Sequence, residues 1–307
     1  MGTFRLLARK TGRLILTVFV ISTVVFFILR IIPGDPAYVV AGIDAPPEAV
    51  DAVREKLGTG KPAFVQYKEW MLAVLRFDFG TSLLSEEKVS TLIMDRFPLT
   101  LFLSLLGMGI AYLIALPLGI LSAVRRWSLW DYAGMIFSQV GMALPGFWLA
   151  ILLLLVFAAW LEIFPLFGGD SPLHLALPAL ALGLGRAAVL LRMVRTSMIG
   201  ELGKEYIITA ISKGLPEKTI RYHALRNALL SVITFSGIQF GSMLGGSIII
   251  EQVFSLPGLG RLILSAIYQR DFPVIQGGVI FFAVVFCCVN FLVDVLYSYI
   301  NPRIRVS

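Results

Sequence analysis

The sequence predicts an all-α integral membrane protein with six transmembrane helices, and three observations carry that prediction. Hydrophobic types make up 58% of the 307 residues and charged types 15%, against about 45–50% and about 25% in an ordinary soluble domain. Apolar stretches near or above the roughly 20 residues that cross a bilayer recur at 14–32, 99–124, 133–160, 173–194, 228–254 and 274–300. The basic residues between them are distributed unevenly, as the connections on the two sides of a membrane require. With a mean hydropathy of +0.86, the apolar excess is more than one water-excluded core can use, and it must face lipid.

The elements follow in order. Arg5, Arg9, Lys10 and Arg13 precede the first apolar run and no small-residue cleavage site follows it, so residues 1–13 read as a cytoplasmic N-terminus and 14–32 as a retained span. Fifteen of the 26 Lys and Arg residues fall in this N-terminus, after span two (Arg125, Arg126), from Arg192 at the inner end of span four to the start of span five, or at the chain end (Arg303, Arg305), which places both termini in the cytoplasm. On the other side, 162–172 holds no Lys or Arg and 255–273 only Arg261 and Arg270. The formal charge of +7 belongs to these basic loops rather than to nucleic-acid binding.

The segment 33–97 carries ten acids and seven bases and reads as an extracytoplasmic cap. Pro33-Gly34-Asp35-Pro36 turns the chain as it leaves the membrane. A helix is expected to begin near Pro46-Pro47-Glu48 and to stop at Gly58, and a second, amphipathic one to cover Gln66 to Arg76. Residues 98–307 then form a five-helix transmembrane core, interrupted at 195–227 by a polar cytoplasmic loop. In that loop Tyr206, Ile207, Ala210 and Ile211 fall at i, i+1, i+4 and i+5 and define one apolar helical face, with Lys204, Thr209, Ser212 and Lys213 elsewhere. Gly214 and Pro216 stop the helix. Such a face either docks into a partner's groove or lies on lipid headgroups, and the pattern alone admits both.

Charged groups within spans are costly and often functional. Glu251 and Asp294 lie toward span ends, where both are expected close to water. Arg186 lies deeper, and reads either as a pore-facing group that meets a substrate carboxylate or as an ion-pair partner between helices of two subunits. His174 and His223, the only histidines, have no second ligand at metal spacing, and adjacent Cys287 and Cys288 make neither a disulfide framework nor a zinc site, so no metal is expected. Gly241 to Gly246 lacks the Lys and Ser/Thr of a phosphate loop, and Gly141 to Gly146 has no serine between its glycines; Pro145 there is expected to kink span three. The chain is therefore not expected to be an enzyme or to bind a cofactor itself.

Ile208-Thr-Ala-Ile-Ser-Lys-Gly214 followed by His223-Ala-Leu-Arg-Asn-Ala-Leu-Leu230 resembles the cytoplasmic EAA loop of ABC importer permeases, in the form used by dipeptide, oligopeptide and nickel permeases. Ile32-Pro-Gly-Asp-Pro36, Asp78-Phe-Gly-Thr-Ser82, Leu144-Pro-Gly-Phe-Trp148, Arg192-Met-Val-Arg-Thr-Ser197, Glu251 to Arg261, Arg270 to Gln276 and Asn301-Pro-Arg-Ile-Arg305 are similar to the same family, in order along the whole chain. Two departures stand out: Ile208-Thr209-Ala210 replaces Glu-Ala-Ala, and Ser231 stands where the peptide branch commonly has proline. The resemblance implies a type I importer permease fold in a bacterial or archaeal cytoplasmic (inner) membrane. It also implies a homologous second permease, two ATPase subunits that hold the ATP and Mg, and an extracytoplasmic solute-binding protein. Tyr206, Ile207, Ala210, Ile211, Lys213 and Gly214 would couple to the ATPases, with Arg186 and Glu251 as possible pore contacts. Peptide is the expected substrate, with nickel or a nickel chelate and glutathione as alternatives. An ion-coupled secondary transporter is the remote rival, since it would need a deep acidic residue and paired broken helices; an intramembrane enzyme would need a nucleophile and base or a metal triad that the sequence does not offer.

Overall fold

The computed structural model describes residues 2–31, 36–42, 44–166 and 172–300. Among the described residues the secondary structure is helical, with no strand and one isolated antiparallel bridge between Thr81 and Lys88. Among the described residues five helices are long and apolar enough to cross a membrane, and one bent helix pair passes the same test when its two halves are taken together.

Helix α1 is Gly2–Ile31. Short helices α2 (Pro36–Ala41), α3 (Pro47–Leu57) and α4 (Ala63–Leu75) follow; the expected turn at Pro33 to Asp35 lies outside the described residues. α3 has proline and Glu48 in its first turn and ends where Gly58 takes φ 66°, with Gly58 N–H on the Glu55 carbonyl and Thr59 N–H on that of Arg54. α4 starts three residues before the expected Gln66, directly after Pro62. α5 (Val89–Val124) starts ten residues before the second apolar run, because Asp95 and Arg96 lower the hydropathy without interrupting the helix.

The third apolar run is broken, as Pro145 predicts. α6 (Leu129–Ala143) and α7 (Gly146–Leu153), the latter continued by a π-helical stretch Leu154–Trp160, meet at 103°. Leu144 and Pro145 are both extended there, since a residue before proline is pushed out of the helical region and proline gives no N–H to the ladder. After a 3-10 turn at Pro172–Leu175 come α8 (Ala176–Leu202), α9 (Glu205–Ser212), α10 (Glu217–Val253), α11 (Leu259–Gln269) and α12 (Phe272–Ile300). α11 lies within the connection 255–273, for which the sequence offered no helix: Leu259, Ile263 and Ala266 are buried at helical spacing.

The chain divides into two compact units, one of residues 1–6, 101–256 and 288–307, the other of residues 7–100 and 257–287. In the first, α5 and α8 approach closely because Gly183 has no Cβ; one there would lie 2.8 Å from both the Gly107 carbonyl oxygen and Ile110. A buried cluster of Ala123, Val194, Met198, Ile207, Ile220, Ala224, Ala228 and Val232 joins α5, α8, α9 and α10. In the second, Leu29, Val89, Ile93, Leu259, Ile263, Val274 and Ile275 form the core. There Ser82 Oγ donates to Asp271 Oδ2 at 2.5 Å and Leu83 N–H to Oδ1 at 3.2 Å, while Leu259 N–H donates to Thr100 Oγ1 at 2.9 Å.

Candidate functional site

α9 is short because its ends are fixed by local chemistry. Extended Lys204 precedes it, with Ile207 N–H on the Lys204 carbonyl, and Glu205 in the first turn complements the positive end of the helix dipole. At the other end Gly214 N–H donates to the Ile211 carbonyl at 2.9 Å and Leu215 N–H to that of Ala210 at 3.2 Å. This is the Schellman pattern, and it requires the left-handed backbone that Gly214 supplies at φ 72°. Lys213 is the C-cap residue, and Pro216 then opens α10.

The four residues expected on one docking face do not share a free face. Ile207 is 2% exposed within the cluster described above, and Ala210 packs partly buried against it. Tyr206 and Ile211 point outward, 38% and 60% exposed. The free apolar stripe is instead Ile208, Ile211 and Leu215, at i, i+3 and i+7, all exposed. Sequence periodicity found the amphipathic helix but placed its wet and dry sides one position off, because both sides carry isoleucine.

Tyr206 ties α9 to its neighbours. Its hydroxyl donates to Glu201 Oε2 at 2.8 Å and accepts from Asn227 Nδ2 at 3.0 Å, so the C-terminal turn of α8 and the foot of α10 are joined through one phenol. Burial, and then the neighbouring Glu201 carboxylate, push the Tyr206 phenol above its ordinary value of 10.0. Lys204 Nζ donates to Glu201 Oε1 at 2.6 Å, and this bond raises the lysine as well. Tyr206, His223, Arg226, Asn227 and Leu230 line a cavity of about 340 Å³ beside the joint.

A second brace was not visible in the sequence. Asp131, at the start of α6, accepts from Arg195 Nε at 2.6 Å and Nη2 at 2.9 Å and from Trp127 N–H at 3.0 Å. The pair is largely enclosed, the side chains being 3% and 18% exposed. Ser128 and Asp131 stand three apart like a capping box, with Asp131 N–H on Ser128 Oγ; that spacing was the available signal. Arg195 adjoins Val194, so the brace lies next to the cluster that holds Ile207.

The pore candidates are placed as follows. Arg186 is half-buried on α8, close enough that a Cβ at Gly246 of α10 would lie 3.5 Å from its Nη2. Glu251 is fully buried rather than close to water, and Ser247 Oγ donates to its Oε1 at 3.0 Å. Its position one turn from the end of α10 suggested exposure, but the side chain is enclosed. The side chain of Asp294 lies outside the described residues. No group of three or more His, Cys, Asp or Glu side chains that could hold a metal ion occurs among the described residues.

Residues 115–306 match the family model described as binding-protein-dependent transport system inner membrane component, and residues 3–104 match its N-terminal companion. A putative peptide transport system permease protein of Brucella abortus (strain 2308) is 40% identical over 309 residues, covering 98% of each chain. The glutathione transport system permease protein GsiC of Salmonella typhimurium is 42% identical over 295 residues, covering 95% of this chain and 96% of its own. Among solved structures, an inward-facing MetNI methionine ABC transporter superposes with a TM-score of 0.60 at 19% identity, over 68% of this chain and 96% of that one.

Proposed function

The chain belongs to the binding-protein-dependent transport system inner-membrane components, and from that premise we propose that it carries peptides inward as one half of a pair of homologous permease chains. It is a multi-pass permease subunit of an ABC importer, which works with ATPase and substrate-binding partners. In the finer reading, the membrane is the cytoplasmic membrane of a bacterium or archaeon, both termini are cytoplasmic, and ATP and Mg are held by two ATPase subunits.

One observation supports the coupling role above the others. α9 is fixed to its own bundle by Ile207 and Tyr206, yet leaves Ile208, Ile211 and Leu215 uncovered on the opposite side. A helix that lay on lipid headgroups would not need the two-sided tether to Glu201 and Asn227; a helix that transmits force does. In this reading the ATPases hold the Ile208 stripe, their closure displaces α9, and α8 and α10 follow because both are bonded to it. On the opposite side of the membrane the solute-binding protein contacts the segments 33–97 and 255–273, and Arg186 meets the carboxylate of a passing peptide.

The substrate class rests on relatives that are named for peptide and for glutathione. Glutathione is itself a small peptide with free carboxylates, so the second reading narrows the first. The test is assembly and uptake: Ile208→Asp with Ile211→Asp buries two unpaired carboxylates against the ATPase and abolishes its co-purification, while Thr209→Ala leaves it intact. Normal ATPase recovery and normal ATP-dependent uptake by the double variant would overturn the docking role. Competition of uptake by unlabelled dipeptides against glutathione separates the two substrates.

A further inference from the structure

Helix α4 has three distinct sides and no buried residue. One side meets α1: Arg30 Nε and Nη2 donate to Gln66 Oε1 at 3.1 and 2.7 Å, Thr23 and Tyr67 share a hydroxyl hydrogen bond of 2.8 Å, and the rings of Tyr67 and Trp70 each lie 5.1 Å from that of Phe26. A second side is uncovered and apolar except for exposed Lys68, which stands one turn from both Phe64 and Leu72 on a stem long enough to carry its ammonium up to the headgroups. Phe64, Leu72 and Leu75 are 75%, 47% and 70% exposed, and Phe77 just beyond the helix is 82% exposed. The third side carries Glu69, which pairs with Lys61 at 2.8 Å.

The contacts with α1 fix how deep α4 lies. α1 is long and apolar enough to span a membrane, and its Ile15, Leu16, Phe19, Val20, Val24, Ile28 and Ile31 are exposed along it. Arg30 is its penultimate residue, and Thr23 lies seven residues earlier, about 10 Å further into the hydrocarbon at 1.5 Å per residue. A helix bonded to both positions straddles the boundary between headgroups and acyl chains. There its uncovered side continues the exposed apolar surface of α1.

The charges agree with that depth. Arg30, Arg54, Lys61, Thr59 and Gln66 are among the residues lining a cavity of about 340 Å³. Arg54 and Lys61 each have a carboxylate partner, in Asp51 and Glu69, whereas Arg30 is held by a neutral amide, the Phe26 carbonyl and the Phe26 ring 3.3 Å away. A guanidinium with no carboxylate partner among the described residues, placed at the end of a span, matches the phosphate layer.

We propose that α4 is an in-plane membrane anchor, seated in the leaflet at the C-terminal end of α1, with Phe64, Leu72, Leu75 and Phe77 among the acyl chains and Arg30 turned to lipid phosphate. In the orientation proposed above this is the outer leaflet. The binding protein is then left α2, α3 and the α11 region, and α4 sets the height at which they stand above the membrane.

The experiment uses the assembled transporter in phosphatidylglycerol-containing nanodiscs, with Cys287→Ala and Cys288→Ala removing the two free thiols. Nitroxide labels are placed singly at Phe64→Cys, Leu75→Cys and Glu69→Cys, and their collision rates with oxygen and with an aqueous nickel chelate are read by power saturation. The labels at 64 and 75 are expected to favour oxygen and the label at 69 the nickel chelate. All three positions are exposed, so the labels disturb no packing, and Leu72→Cys serves if one labelled complex fails to assemble. Equal nickel accessibility at all three positions would overturn the anchor. So would protection of 64 and 75 that arises only on adding the binding protein, which would make this side a protein contact instead.

Discussion

Replacing Gly214 tests the joint between α9 and α10 more sharply than any other single change. The residue sits at φ 72°, and a Cβ built there has no heavy atom within 4 Å. No clash therefore contributes, and the cost is that of the backbone alone, about 1–2 kcal/mol for an L-residue in the left-handed region, toward the upper end for a β-branched side chain. Against an RT of about 0.6 kcal/mol, that penalty shifts the balance about 5–30-fold toward a conformation without the Schellman bonds. Losing them frees the Ala210 and Ile211 carbonyls and re-aims Leu215 and Pro216, and with them the start of α10. Ile207, Ile208 and Ile211 lie before the stop and are untouched, so the ATPases should still co-purify. Gly214→Asn should be mildest, Gly214→Ala intermediate and Gly214→Val worst, with uptake falling in that order while ATPase recovery stays constant. Wild-type uptake in Gly214→Val, at wild-type thermal stability, would show that the left-handed stop has no part in coupling.

Other consequences are equally direct. Ile207→Ala should destabilise the assembled permease by about 2–4 kcal/mol, because a fully buried side chain leaves a cavity, and its thermal midpoint should fall whether or not ATPases are bound. Asp131→Ala strands a largely enclosed guanidinium and should cost about 3 kcal/mol; Asp131→Ala with Arg195→Met should recover much of it in a double-mutant cycle. The raised Tyr206 phenol gives a sign for pH: its contribution is complete below the ordinary value of 10.0 and is lost as pH climbs through the higher folded value. Tyr206→Phe should flatten that alkaline loss in a thermal-shift series.

The parts of the fold that the sequence displayed are those set by neighbours in the chain. Pro47 and Gly58 bracket α3, Gly214 stops α9 and Pro216 opens α10, and Pro145 breaks the third span, since each acts through its own backbone angles. Residues whose roles depend on distant partners were hidden. Asp131 and Arg195 are separated by 64 positions, and Ser82 and Asp271 by 189; no periodicity links such pairs. Yet Asp78 to Ser82 and Arg270 to Gln276 had each been singled out as a family-like motif, and the structure shows that the two meet through the Ser82 hydroxyl and the Asp271 carboxylate. α11 and the inward turn of Ile207 were missed for a different reason. Both are amphipathic segments with apolar residues on more than one side, where the pattern names a helix but not the side that is covered.

In the coupling proposed above, the length of α10 sets the gearing. It runs 37 residues without interruption, about 55 Å at 1.5 Å per residue. Its foot follows α9 through four residues, Lys213 to Pro216, in which the capped glycine and the fixed proline ring leave little slack. A rod that long acts as a lever: each degree of tilt about the foot sweeps the far end through about 1 Å. The turn that carries Glu251 is near that far end, so a stroke of a few degrees at the ATPase side moves it by about the width of a water molecule or more.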